Sequence, residues 1–153
     1  MYTKEEASLV RQKFWTAFGK YMQPVPSASS EKINWINYKT GIKGVSFKLN
    51  ADNFKATIAI EISLVDTNLQ HQYFEIFRSF KNQFTHVMGT DWKMEKCFIS
   101  EYGKEISIIF TECNNTNIYR ENDWPTIIAF LKQHIIGLDI FWNEYKVAFE
   151  IIN

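Results

Sequence analysis

The stretch VSFKLNADNFKATIAIEISLV, Val45–Val65, decides the fold. Val45, Phe47 and Leu49 alternate with Ser46, Lys48 and Asn50, and Phe54, Ala56, Ile58, Ile60 and Ile62 alternate with Lys55, Thr57, Ala59, Glu61 and Ser63. A two-residue period puts one set of side chains on each face of a strand, so both segments read as strands with one apolar and one mostly wet face. Ala51, Asp52 and Asn53 between them are too few for anything but a tight reversal and are rich in turn formers, which makes the pair an antiparallel hairpin. Glu61 is then expected on the wet face, opposite Lys43.

Upstream, Gly41 and Gly44 mark a turn, and Ile33–Tyr38 reads as a further strand ahead of it. Pro24–Ser30 (PVPSASS) resists helix and sheet alike and reads as an exposed loop. Before it, Thr3 and Glu6 have capping-box spacing, and Val10, Phe14, Ala17, Phe18 and Tyr21 recur every three or four residues, predicting a helix that ends before Pro24.

Downstream, Tyr73, Phe77, Phe80, Phe84 and Val87 form a helical stripe closed by Gly89. Trp92, Met94, Lys96, Phe98 and then Ile106, Ile108 and Phe110 suggest a second hairpin turning at Glu101–Lys104, with Phe110 on an inward stripe. Asn122, Asp123, Trp124 and Pro125 start a long last helix whose apolar face runs from Ile127 to Phe149. The expected architecture is α+β: one domain over residues 1–153, with a mainly antiparallel sheet of about five strands in two layers. The helices pack on one face, and the order is α-β-β-β-α-β-β-α.

The totals fit such a domain. The 153 residues suffice for a core without metals or disulfides, and 46% hydrophobic with 22% charged residues is a globular composition. Apolar runs fall short of a membrane span. Met1–Glu6 is polar where a secretory signal needs an apolar stretch, and Cys97 and Cys113 are not placed to pair across a hairpin. A cytoplasmic protein with reduced thiols is expected. The net charge is zero, yet residues 1–55 carry nine Lys or Arg against four acids, and the remainder carries eight against thirteen.

No phosphate-loop, dinucleotide or nucleophile-elbow pattern is present. The acid-x-Lys of restriction-type nucleases is missing, because Glu61 is followed by Ile62 and Ser63. His71, His86 and His134 lack an i, i+4 histidine or cysteine partner, so neither a metal nor a cofactor is expected. Glu61, Asp66 and Asp91 would serve a hydrolase only if the fold brought them together.

One constellation combines rings with charge: Lys32, Trp35, Tyr38, Lys39, Lys43, Phe47, Lys48, Phe54 and Lys55. Cations interleaved with stacking rings suit a single-stranded nucleic-acid platform, although alternation turns Phe47 and Phe54 away from the lysines. A solvated lysine edge that discourages strand addition is the simpler reading. On the last helix, Phe130, Phe141 and Trp142 widen the apolar stripe. They would form a homodimer face or be covered by the sheet and the first helix.

The segments FWTAFGKYM, KINWINYKTG, IAIEISL, QHQYFEIFRSFKNQF and ENDWPTIIAFLKQHIIGLDIFW, taken together, resemble the bacterial domain-of-unknown-function family numbered 4268, in its short single-domain form. The resemblance runs from Glu5 to about Phe149. It implies a stand-alone or accessory bacterial domain, some similar domains standing behind nuclease-like modules in longer proteins. It carries over no catalytic residue. The expected function is a binding or protein-interaction domain without its own catalytic site. Self-association, a protein partner and, as the alternative, nucleic acid are the candidate partners.

Overall fold

The structure, a computed structural model, describes residues 2–150. Its elements are α1 (Lys4–Met22), β1 (Val45–Ala51), β2 (Lys55–Ile62), α2 (Thr67–Ser79), α3 (Lys81–Met88), β3 (Lys93–Ile99), β4 (Glu105–Asn114), a 3-10 turn (Glu121–Asp123), α4 (Trp124–Tyr145) and α5 (Val147–Glu150). The four strands form one antiparallel sheet in the order β1-β2-β4-β3.

The decisive hairpin folds as its alternation requires. The Asp52 carboxylate accepts from the amides of Phe54 (2.7 Å) and Lys55 (2.9 Å), an Asx-type closure that sets the register Val45↔Ile62 to Ala51↔Ala56. Glu61 consequently faces Ser46 across the ladder, not Lys43. Phe54 falls in the turn rather than on the inner face and is 72% exposed. Gly44, at φ +88°, brings its carbonyl within 2.8 Å of the Ser63 amide; a Cβ there would stand 2.4 Å from Leu64 Cδ2, so only glycine fits.

Ala56, Ile58, Ile60, Ile62 and Ile109 point inward and are fully or almost fully buried against the helical layer. Phe14, Phe18 and Met22 of α1 and Ile127, Leu131, Ile135 and Leu138 of α4 close the core from the other side. On α1 it is Met22, not Tyr21, that completes the buried stripe. α1 begins at the expected capping box, with Thr3 Oγ1 3.1 Å from the Glu6 amide and Glu6 Oε1 3.0 Å from the Thr3 amide.

Three further expectations change. The sheet has four strands instead of about five, because Ile33–Tyr38 is irregular: the Asn34 side chain accepts from the Ile36 and Asn37 amides, both at 3.1 Å, and bends the chain away from any ladder. The helix expected after Asp66 breaks in two at Phe80 (φ −95°, ψ 15°), where the Ser79 hydroxyl donates to the Ile76 carbonyl at 2.6 Å. Phe110 also lies on the outer face of the sheet, since pairing Ala59↔Phe110 gives it the same facing as Ala59.

A β-bulge on β3 between Glu95 and Phe98 sets three steps of β3 against two of β4. The Ser107 hydroxyl fixes it by donating to the Lys96 carbonyl at 2.6 Å. Both cysteines are free. No helix among the described residues is long and apolar enough to cross a membrane.

Candidate ligand cleft beside the last helix

The polar heart of the molecule is Asp139, on α4. It sits on the buried stripe, between Ile135 and Trp142, and is 1% exposed. A carboxylate removed from water must be met by donors, and four residues supply them. Ser27 Oγ approaches both oxygens (2.9 and 3.1 Å), the Ala28 amide donates at 2.7 Å, the Tyr38 hydroxyl at 2.5 Å, and Asn143 Nδ2 at 3.0 Å. The Ser27 hydroxyl in turn accepts from the Ser29 amide (3.2 Å) and hydroxyl (3.1 Å). The network ties the loop after α1 to α4.

Aromatic residues complete the attachment. The Trp35 indole donates to the Val25 carbonyl at 3.1 Å, and the Trp142 indole to the Thr40 carbonyl at 2.7 Å. Thr40 Oγ1 donates to the Val45 carbonyl at 2.7 Å, joining the loop to β1. The Tyr38 ring stacks on Phe47 with centroids 4.9 Å apart. Burial first, and then the hydrogen bond to Asp139, push the Tyr38 phenol well above its ordinary range, so it stays protonated.

Between loop and helix lies a cleft of about 510 Å³. Its wall includes Tyr38 and Trp142, three lysines (Lys32, Lys39, Lys146) and three asparagines (Asn34, Asn37, Asn143), against one acid, Glu31. Lys146 closely overlies Gly41, where a Cβ would come within 2.9 Å of its ammonium, and it also lies 3.8 Å from Glu150. The cleft is therefore rich in cations and amide donors. Four residues thus donate to the Asp139 carboxylate, and the phenol is committed to it.

The sequence-predicted site residues separate. Tyr38 and Lys39 line the cleft, whereas Trp35 is buried (3% exposed) and stacks on nothing outside. Lys43 is exposed. Lys48 and Lys55 lie on the outer face of the sheet, where Lys55 pairs with Glu112. That face is a shallow concavity of about 720 Å³, lined by Phe98 and Phe110 together with Glu61, Glu95, Glu101 and Glu112 and with Lys48, Lys55 and Lys93. Glu61 there has its carboxyl held above the ordinary range, chiefly by partial burial.

Of the residues expected to widen α4, Phe141 and Trp142 are 1% and 2% exposed within the protomer, and Phe130 is half-buried beside His134. The sheet and neighbouring helices cover Phe141 and Trp142, whereas Phe130 is only partly covered. Asp66 caps α2 by accepting from the Asn68 (3.0 Å) and Leu69 (3.2 Å) amides, Asp91 precedes β3, and neither lines the concavity that holds Glu61. Sequence reading missed Ser27, Asp139, Asn143 and Lys146. For Asp139 a signal existed: a charged residue on an otherwise apolar helical stripe.

A family model described as Domain of unknown function (DUF4268) matches residues 10–146. No curated protein and no solved structure matches the chain.

Proposed function

We propose, from the premise that the chain belongs to the DUF4268 family of domains of unknown function, that it is a binding domain without a catalytic site of its own, taking a small anionic ligand in the cleft beside α4. The observation that carries this reading is the lining: Lys32, Lys39 and Lys146 with Asn34, Asn37 and Asn143 surround one concave space. Ammonium and amide donors converging on a pocket suit phosphate or carboxylate groups. The buried Asp139, met by four donors, favours binding over catalysis, since a general base must lie within reach of a substrate proton.

The Trp142 indole in the wall provides the readout. Titrating the protein with inorganic phosphate and with simple phosphate esters should change tryptophan fluorescence saturably at up to millimolar concentrations. Lys39→Glu with Lys146→Glu should abolish the change while leaving the circular dichroism intact. A flat titration across that panel, or one indifferent to both substitutions, would sink the reading.

The second reading is a nucleic-acid-associated accessory module, and it draws on the outer face, where Phe98 and Phe110 share a surface with Lys48, Lys55 and Lys93. The four glutamates among them make it the weaker of the two. A labelled single-stranded oligonucleotide that fails to bind at low salt removes it.

A further inference from the structure

Away from the cleft, three chemically distinct ligand groups meet that no sequence spacing brings together: His71 on α2, Cys97 on β3 and Glu105 at the start of β4. The geometry points to a site for a divalent cation of the zinc class held by these three side chains, with its fourth position open to solvent. One ligand atom from each lies within 4.8 Å of the others, and Cys97 Sγ stands 3.9 Å from His71 Nε2. Metal–sulfur and metal–nitrogen bonds of ordinary zinc length at a tetrahedral angle need a sulfur–nitrogen separation of about 3.6 Å. A movement of a few tenths of an ångström closes that gap.

The backbone is arranged for the meeting. Strict alternation from Glu95, which lies on the outer face, would leave Cys97 on that face too and far from α2. The bulge adds one residue, returns Phe98 to the outer face and turns Cys97 towards the helix side. Bulges re-aim side chains in this way where a site requires it. Nearby charge is disposed to match. Lys96 is engaged by Glu75 at 3.4 Å, and among the described residues no lysine or arginine pairs with the half-buried Glu105.

Thiolate, imidazole and carboxylate together select zinc, cobalt(II) or iron(II) over calcium or magnesium, which prefer all-oxygen sets. Three protein ligands leave a position for water, and Cys97 is exposed, so that position faces solvent. A bound ion would also clamp α2 to the β3–β4 hairpin.

The test is cobalt(II) titration of the full chain after chelator treatment, followed by displacement with zinc. One equivalent should bind with thiolate-to-cobalt charge transfer in the near ultraviolet and visible bands of tetrahedral intensity, both lost on adding zinc. Cys97→Ser should remove the charge-transfer band, and His71→Ala and Glu105→Gln should each weaken binding at least about tenfold. Cys113→Ser should change nothing. All three ligand positions lie at or near the surface, and far-ultraviolet circular dichroism of each variant checks its fold. Absence of a thiolate band at saturating cobalt overturns the site. So does a band that survives Cys97→Ser, or one indifferent to both His71→Ala and Glu105→Gln.

Discussion

Truncating Asp139 to alanine should be among the most damaging single changes available to this protein. Its carboxylate accepts from Ser27, the Ala28 amide, Tyr38 and Asn143. These donors do not lose equally. Ala28 and Asn143 are exposed, so water can reach their donors, whereas the Ser27 hydroxyl is buried and the Tyr38 hydroxyl half-buried. A hydrogen bond to a charged acceptor contributes about 1.5–3 kcal/mol, and an orphaned buried donor costs about 1–3 kcal/mol. Since the losses share one acceptor and do not add, a total of about 3–5 kcal/mol is expected, in the range for breaking a buried charged network.

In urea, with a slope of about 2 kcal/mol/M for a domain of this size, the midpoint should fall by about 2 M. Tyr38→Phe alone, losing one donor, should cost about 1–2 kcal/mol, and next to nothing once Asp139 is alanine, because the bond it deletes is already gone. Limited proteolysis should cut first within Pro24–Ser30 in the Asp139→Ala variant. A midpoint shift worth less than about 1 kcal/mol, or fully additive effects of the two substitutions, would refute the claim that this network holds the loop to α4.

Three further outcomes are expected. Tyr38 has its folded pKa raised above the ordinary value of 10.0, so its contribution is complete below that pH and is lost as the pH climbs beyond it. The urea midpoint should therefore drop between about pH 9 and 11, and drop less in Tyr38→Phe. Glu61 is also raised, from 4.5, chiefly by desolvation, so its ionised form is disfavoured in the fold. Glu61→Gln should match the parent near pH 4 and become the more stable of the two as the pH rises to 7; equal midpoints at pH 7 would contradict the assignment. Finally, Phe54→Ser should shift stability by less than about 0.5 kcal/mol because the ring is in water, whereas Phe47→Ala should cost about 3–5 kcal/mol. Similar losses for the two would overturn the register of the first hairpin.

The hairpin was legible because alternation over Val45–Ile62 is a local property and its turn residues are short and specific. Ile33–Tyr38 was misread for a related reason. Its apolar residues do turn inward, as Trp35 shows, but the Asn34 side chain competes for the backbone amides a strand would need. Phe110 is misplaced because Ile106 and Ile108 on one face and Ile109 on the other are all apolar, and the one polar residue of the run, Ser107, is itself buried on the inner face, so no alternation marks the facing. The cleft was half visible. Tyr38 and Lys39 stood out as a ring beside a charge, but their partners Ser27, Asp139 and Lys146 come from the other ends of the chain, and only the fold unites them. The meeting of His71 with Cys97 and Glu105 depends on a bulge, which no periodicity announces.

The strand order β1-β2-β4-β3 implies a sequence of events during folding. Each hairpin closes over a few residues and can form early, whereas the central ladder joins positions as distant in the chain as Lys55 and Asn114. Docking of the two hairpins is therefore the step that must wait for the intervening helices. Until it occurs, the apolar, β-branched segment Thr57–Ile62 presents an unpaired edge of the kind that recruits other chains. Loss of soluble yield on expression should thus track substitutions that delay β2–β4 docking more closely than those that merely weaken the finished core.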